Sequence, residues 1–236
     1  MRKFRFVQLD VFTDQAFAGN ALAVFPEAEG IADADMLKIA REMNLSETVF
    51  VLPARDEQTV RRLRIFTPTR EIPFAGHPIV GTWNVLAREG VVPVPEGGTG
   101  WTRILHEIGI GILPVDIEFK DGLPLQVVMT QGKPSLGAVM EDTHEQADLA
   151  RALGLAVEDF DETLPIQISS TGLPFLAVPI RSLADLRKCR VNASLLSEIY
   201  RGVGATGCQP FSRETIEVGA SRAHARMFAP DDNIPE

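Results

Sequence analysis

The stretch Arg64-Ile65-Phe66-Thr67-Pro68-Thr69-Arg70-Glu71-Ile72-Pro73-Phe74-Ala75-Gly76-His77-Pro78 decides the architecture of this chain. It predicts a strand, a turn that contains proline, and then a helix that begins at Gly76-His77-Pro78. Proline is favoured in the first turn of a helix, because its missing N–H costs no hydrogen bond there. Residues 79–87 continue with apolar side chains at helical spacing, which supports a helix over this range.

The start of this predicted helix is a candidate anion-binding site. Gly76 lets a ligand approach the free backbone N–H groups of the first turn, and those groups together with the helix dipole attract a carboxylate. A histidine at this position could donate a hydrogen bond or move a proton. The residues alone leave a second interpretation equally open, in which His77 is an incidental surface residue at an ordinary helix N-terminus.

The composition excludes several classes of function. The 236 residues are 45% hydrophobic and 23% charged, which is typical of a soluble protein with one large or two small domains. A net charge of −9 and the absence of a basic stripe argue against a nucleic-acid partner. No apolar run approaches the roughly 20 residues that span a bilayer, and residues 1–5 lack the apolar core of a signal peptide, so we expect no membrane association.

The cysteines and the other metal-ligating residues predict no metal site. The two cysteines, Cys189 and Cys208, have neither a paired pattern nor metal-like spacing, which favours a reducing, cytoplasmic location. A nucleophilic role for Cys208 is disfavoured, because no histidine partner is identifiable. His106, His144 and His224 share no ligand spacing and are expected to be structural or exposed.

The pattern of short mixed strands with segregated helices predicts an α+β chain rather than a repeating βαβ one. We expect two domains, residues 1–120 and 121–236, with the turn Asp121-Gly122 as the boundary.

An internal repeat supports this division. The pattern Arg64-x-Phe66-x-Pro68-x-x-x-Ile72-Pro73 recurs without a gap as Arg226-x-Phe228-x-Pro230-x-x-x-Ile234-Pro235, and each copy follows a predicted strand. In the first copy the helix at Gly76 comes next, whereas only Glu236 follows the second copy. We therefore expect the second domain to be incomplete and to lack the corresponding helix.

Three motifs carry a resemblance to a known family. They are Gly19-Asn20-x-x-Ala23-Val24-Phe25, Ala40-Arg41-Glu42-Met43-Asn44-Leu45-Ser46-Glu47-Thr48-x-Phe50-Val51 and Arg64-Ile65-Phe66-Thr67-Pro68-x-x-Glu71-x-Pro73-Phe74-Ala75-Gly76-His77-Pro78-x-x-Gly81-Thr82. In this order they resemble the PhzF family of phenazine-biosynthesis isomerases. The resemblance is strong in the first half and weaker in the second, where Arg226-Met227-Phe228-Ala229-Pro230 carries it.

The resemblance implies a diaminopimelate-epimerase-like fold, in which two similar domains each wrap a β-barrel-like sheet round a central helix. It also implies a homodimer that needs neither a metal nor an organic cofactor. The reaction of the family isomerises trans-2,3-dihydro-3-hydroxyanthranilate by moving a proton between ring carbons. A small carboxylated metabolite is therefore the expected substrate, although the sequence does not identify which one.

The same resemblance assigns the expected catalytic residue. Glu47 matches the general acid/base of the family, and a carboxyl group whose pKa is raised by burial suits such proton transfer. The alternative is a surface glutamate at the end of a helix. The epimerases and racemases of this fold use a cysteine pair at helix N-termini, and the absence of cysteine at Gly76-His77 argues against that chemistry here.

The resemblance also places the first-domain half of the substrate site at the start of the predicted helix. The expected substrate-binding residues are Asn20, Ser46, Gly76, His77 and Pro78. For two of them a simpler interpretation stays open, since Asn20 could cap its own turn and Ser46 could bond only to the local backbone.

Two departures from the family pattern bear on activity. Ala21 stands where the family usually has proline. The second-domain motif, which carries an aspartate and a serine of the active site, would begin after Glu236. The alternative to an active isomerase is therefore a truncated, catalytically inactive PhzF-like fragment or binding protein.

Overall fold

A computed structural model describes residues 2–216, 219 and 221–234 of the chain. The chain divides into two compact units, Met1–Gln131 and Gly132–Glu236. The boundary lies later than the predicted one because Asp121-Gly122 is the tight turn of a β-hairpin inside the first unit. Both turn residues have positive φ, 52° and 79°, as a two-residue hairpin loop requires.

The first unit is an eight-stranded sheet with two helices. In the sheet the strands follow the order β1-β2-β3-β4-β6-β7-β8, and β5 pairs with β4. The strands are β1 Val7–Val11, β2 Asn20–Phe25, β3 Glu47–Leu52, β4 Arg62–Phe66, β5 Glu71–Ile72, β6 Gly100–Ile108, β7 Gly111–Lys120 and β8 Leu123–Met129, and the helices are α1 Asp33–Met43 and α2 Gly76–Arg88.

Helix α2 is the centre of this unit. It contacts β1 and β8, the two edges of the sheet, as well as β2, β3 and β7 between them. The sheet therefore curls round α2, and Ile79, Trp83 and Leu86 of the helix are completely buried in the core that results. This unit has the predicted form of a curled sheet wrapped round a central helix, and α2 begins at Gly76 as the sequence predicts.

The second unit has a five-stranded sheet in the order β13-β12-β11-β10-β9. Its elements are β9 Ser135–Val139, α3 Thr143–Leu153, β10 Gln167–Ser170, β11 Pro174–Pro179, α4 Leu183–Lys188, α5 Ala193–Gly202, β12 Cys208–Ser212 and β13 His224–Ala225. Helix α3 packs against α5, and both contribute to a separate apolar core. The described residues of this unit contain no counterpart of α2.

The two units share a strand pattern that extends the repeat found in the sequence. In the first unit β1 is antiparallel to β2, β2 is parallel to β3 through α1, and β3 is antiparallel to β4. In the second unit β10, β11, β12 and β13 repeat this series, with α4 and α5 in the parallel connection.

The repeated Arg-x-Phe motif also has the same local structure in both units. The guanidinium of Arg64 lies 5.2 Å from the ring centre of Phe66, and that of Arg226 lies 5.0 Å from the ring centre of Phe228. The internal repeat is thus a repeat of structure as well as of sequence.

The first turns of α1 and α3 are stabilised differently. Asp33 is the first residue of α1, and its carboxylate accepts a hydrogen bond from Arg64. Asp142 caps α3, because its carboxylate accepts from the N–H groups of two residues in the first turn. The last proline of the second repeat, Pro235, lies outside the described residues.

No helix in the described part of the chain has the length and apolar character needed to cross a membrane.

Candidate active site

The parallel pairing of β2 and β3 brings the starts of both strands to one edge of the sheet. Leu22 lies opposite Glu47 in this pairing, so Asn20, the first residue of β2, is near the first residue of β3. Side chains alternate between the two faces of a strand. Glu47 therefore shares its face with Val49 and Val51, which belong to the core round α2.

Glu47 meets His77 of α2 at this edge. Glu47 Oε2 and His77 Nε2 are 3.2 Å apart, and each side chain is 9% exposed. Burial lowers the pKa of His77 to about 4, since it outweighs the opposite effect of a hydrogen bond with the backbone of Ala21. The imidazole is therefore neutral at pH 7, and its contact with Glu47 is not a salt bridge between two charged groups.

Asn20 and Ser46 extend this contact into a chain of four side chains. Asn20 Nδ2 lies 3.1 Å from His77 Nδ1, and Ser46 Oγ donates to Asn20 Oδ1 at 3.3 Å. The amide of Asn20 thus bonds to His77 of α2 through its nitrogen and to the loop residue Ser46 through its oxygen. In place of capping its own turn, Asn20 joins Ser46 to the ring of His77.

The N-terminus of α2 lies beside this chain. Ala75 precedes the helix in an extended conformation, with φ −156°, and no side chain in the described part of the chain caps the first turn. No acidic residue occupies that turn, so the positive end of the helix dipole is not neutralised by the helix itself. A Cβ atom built on Gly76 would meet none of the described residues within 4 Å, so there is open space at this position of the first turn.

All six predicted site residues lie in this region. Four of them form the chain of side-chain contacts, and Gly76 and Pro78 flank His77 in the first turn of α2. The contact between the backbone of Ala21 and His77 was not predicted, because no pattern in the sequence indicates a hydrogen bond to a main-chain group.

The other candidates are placed elsewhere. Cys208 is completely buried in the second unit, and burial raises the pKa of its thiol, so it is not an activated nucleophile. His106 is buried in the first unit, where its Nδ1 accepts a hydrogen bond from Trp83 at 2.5 Å. His144 is exposed. Among the described residues, no group of three or more histidine, cysteine, aspartate and glutamate side chains is arranged to hold a metal ion.

Comparison with known proteins matches residues 9–236 to the model of the phenazine biosynthesis-like proteins, PhzC-PhzF. The chain belongs to the PhzF family. An uncharacterized isomerase of Clostridium acetobutylicum is 37% identical over 236 residues, which cover 100% of this chain and 75% of that relative. The trans-2,3-dihydro-3-hydroxyanthranilate isomerase of Pseudomonas aeruginosa is 36% identical over 234 residues, which cover 98% of this chain and 74% of that enzyme.

Solved structures agree with this PhzF assignment. The PhzF-family phenazine biosynthesis protein of Bacillus anthracis superposes with a TM-score of 0.85 at 27% sequence identity, covering 100% of this chain and 75% of that one. The predicted fold is therefore confirmed, and the protein is a homologue of PhzF-family isomerases. It spans about three quarters of the length of these three relatives.

Proposed function

We propose that this PhzF protein is an isomerase that moves a proton between two carbons of a small carboxylated substrate, with Glu47 as the general acid/base. The observation that carries the proposal is the buried contact between Glu47 and neutral His77 beside the uncapped N-terminus of α2. It combines a group that can hold a proton with a binding position for a carboxylate.

The reaction has two steps, and after the second step Glu47 is again a carboxylate. In the first step the Glu47 carboxylate takes a proton from a substrate C–H, and the electron pair of that bond moves into the adjoining double bonds. In the second step the carboxylic acid returns the proton to a different carbon, so that a double bond has shifted and no atom is gained or lost. The proposal requires no metal and no organic cofactor.

The residues in the first turn of α2 hold the substrate. The free N–H groups of the first turn of α2 would bind the substrate carboxylate, and the open space at Gly76 gives it access to them. His77 Nε2 is buried and has no aligned hydrogen-bond partner among the described residues, so this nitrogen keeps its capacity to bond to a polar group of the substrate. Pro78 removes one N–H from the turn and fixes its backbone.

The proposed substrate is trans-2,3-dihydro-3-hydroxyanthranilate or a closely similar carboxylated metabolite. Support comes from the relative of Pseudomonas aeruginosa that bears this activity in its name at 36% identity. We further propose a cytoplasmic homodimer as the working assembly, which light scattering on the purified protein would test.

The test is incubation of the purified protein with trans-2,3-dihydro-3-hydroxyanthranilate in D₂O, followed by NMR. The proposal predicts isomerised product that carries deuterium at the carbon that receives the proton, in a fraction set by solvent exchange at Glu47. A panel of other small unsaturated carboxylates tests the breadth of the substrate class. Binding without turnover of any of them would instead support the alternative of an inactive binding protein.

A further inference from the structure

We infer that His106 is a positioning residue, which fixes the rotation of α2 inside the curled sheet through its contact with Trp83 and so keeps His77 against Glu47. The catalytic consequence rests on the proposed function. The placement of α2 itself is a property of the protein alone and can be measured without a substrate. The role assigned to His106 is thus one through the helix and not through contact with the substrate.

The contact is a hydrogen bond inside an apolar core. Trp83 Nε1 donates to His106 Nδ1 at 2.5 Å, and the two side chains are buried, with Trp83 0% and His106 1% exposed. Burial lowers the pKa of His106 to about 4, so its ring is neutral at pH 7 and Nδ1 can accept. The core to which Trp83 belongs is mainly aliphatic, and it includes Ile79 of α2 and Ile104 of β6.

This bond restricts α2 more than the apolar contacts do. Aliphatic side chains can repack with little loss of stability as long as they fill the same volume. The indole N–H of Trp83 would lose its acceptor if α2 turned or slid, and an unpaired donor in an apolar core is unfavourable. The bond therefore selects one placement of α2 among those that the aliphatic contacts would permit.

The acceptor belongs to the same sheet as Glu47. Strand β6 pairs with β4, and β4 pairs with β3, whose first residue is Glu47. The carboxylate of the residue after His106 accepts two backbone N–H bonds from the loop that follows β3, which ties the end of β6 to the end of β3. The sheet and α2 are thus joined by two polar contacts, His106 with Trp83 and Glu47 with His77.

A small rotation of α2 is sufficient to disturb the contact at the site. Side chains reach about 5–6 Å from the axis of a helix, so a rotation of about 10° moves the ring of His77 by about 1 Å. The separation of His77 Nε2 from Glu47 Oε2 is 3.2 Å, so a movement of this size changes the contact substantially. The bond between Trp83 and His106 opposes such a rotation.

A rotation would also separate the two parts of the proposed reaction. The substrate carboxylate, bound to the first turn of α2, would move with the helix, while Glu47 stays with the sheet. Binding would be retained, but the distance from Glu47 to the reacting carbon would change. An error of about 1 Å in such a distance can lower a rate about a hundredfold. The positioning role therefore predicts a loss in kcat and not in KM, which a loss of stability alone does not produce.

The experiment that needs no substrate is NMR of the ¹⁵N-labelled protein and of its His106→Leu variant, which lacks the acceptor. The chain has two tryptophans, and Trp101 is 52% exposed, so the slowly exchanging indole N–H belongs to Trp83. We expect this N–H to exchange about tenfold faster in the variant, the order expected for the loss of one hydrogen bond. The backbone amide signals of Gly76 and His77 should shift, and unmoved signals would overturn the inference.

The isomerase assay compares His106→Leu with His106→Asn. Leucine and asparagine have the same shape, and only asparagine offers an acceptor, at the same number of bonds from Cβ as Nδ1 of histidine. In His106→Leu we expect kcat to fall about tenfold or more while KM changes less than about threefold, and His106→Asn should recover most of kcat. A kcat of His106→Leu equal to that of the unaltered protein would contradict the positioning role.

Ile104→Val is the control for stability. It removes one methyl group from the same strand and the same core without removing the hydrogen bond, so stability should fall while kcat is unchanged. A loss of kcat in Ile104→Val equal to that in His106→Leu would overturn the positioning role.

Two further arrangements keep the outcome decisive. If His106→Leu does not fold, Trp83→Phe removes the donor in its place, and it should give the same loss of kcat and the same shifts of the Gly76 and His77 signals. If the unaltered protein shows no isomerase activity, the proposed function fails, and the NMR comparison still decides whether His106 places α2.

Discussion

Glu47 Oε2 and His77 Nε2 lie 3.2 Å apart, although their residues belong to different elements, β3 and α2. The contact depends on two separate structural conditions. The parallel pairing of β2 and β3 fixes where Glu47 lies at the edge of the sheet. The packing of α2 inside the curled sheet fixes where His77 lies relative to that edge. Changes that move α2 should therefore affect the site even when they lie away from it.

Gly76 provides a direct test of the carboxylate-binding position. A Cβ at Gly76 meets no neighbour within 4 Å, so Gly76→Ala should change the free energy of unfolding by less than about 1 kcal/mol. Because the methyl group enters the open space beside the first-turn N–H groups, the KM for the carboxylated substrate should rise about tenfold, equivalent to ~1.4 kcal/mol. Steady-state kinetics and urea denaturation measure the two effects.

Gly202→Ala is the control for this change. Gly202 ends α5 in the second unit, and its Cβ would also meet nothing within 4 Å. We expect unchanged KM in this variant. An unchanged KM in Gly76→Ala as well would place carboxylate binding away from the start of α2.

Gly81 tests how closely α2 must pack. A Cβ at this position would lie 2.7 Å from Leu22 Cδ2 and 2.7 Å from Val11 Cγ2, so β1 and β2 leave no room for it. We expect Gly81→Ala to destabilise the protein by about 1–3 kcal/mol in urea denaturation. If Gly81→Ala had the same free energy of unfolding as Gly202→Ala, α2 would be able to move away from β1 and β2 without loss of stability.

The buried His106 should make stability depend on pH. Burial lowers its pKa to about 4 from an unfolded value of 6.5, so between these values the unfolded chain binds more protons than the folded one. Stability therefore falls as the pH decreases from 6.5 towards 4. Replacing His106 by glutamine, which can still accept from Trp83, should reduce the loss at pH 4.5 by on the order of 2 kcal/mol.

His144→Gln is the comparison for His106, because His144 is exposed at the start of α3. Urea denaturation at pH 7 and pH 4.5 gives the required free energies for both variants and the unaltered protein. An equal decrease between the two pH values in His106→Gln and His144→Gln would contradict the expected effect of burying His106.

The local order of the first unit could be predicted from the sequence because each signal there is short-range. The proline at the first turn predicts the start of α2, and the helix begins at Gly76 as expected. The role of the turn Asp121-Gly122 could not be predicted in the same way. A hairpin turn and a domain boundary share the same residues, and only the pairing of β7 with β8 distinguishes them.

The contacts within the site depend on distances between remote parts of the chain. The sequence motifs identify Glu47 and His77 as separate candidates, and the contact between them follows from the packing of α2 against the sheet. The bridge from Ser46 through Asn20 to His77 spans three separate elements, and no spacing in the sequence indicates it. Family motifs identify such residues and leave their mutual geometry to the structure.

The most direct test of the account compares Glu47→Gln with the unaltered protein in the D₂O assay with trans-2,3-dihydro-3-hydroxyanthranilate. Glutamine keeps the size of the side chain but cannot hold and return the proton. We therefore predict the same fold and a loss of kcat of about 10²-fold to 10⁴-fold. Glu42→Gln, at an exposed position of α1, should retain full activity. Turnover by Glu47→Gln at the rate of the Glu42→Gln control would contradict the assignment of Glu47 as the acid/base.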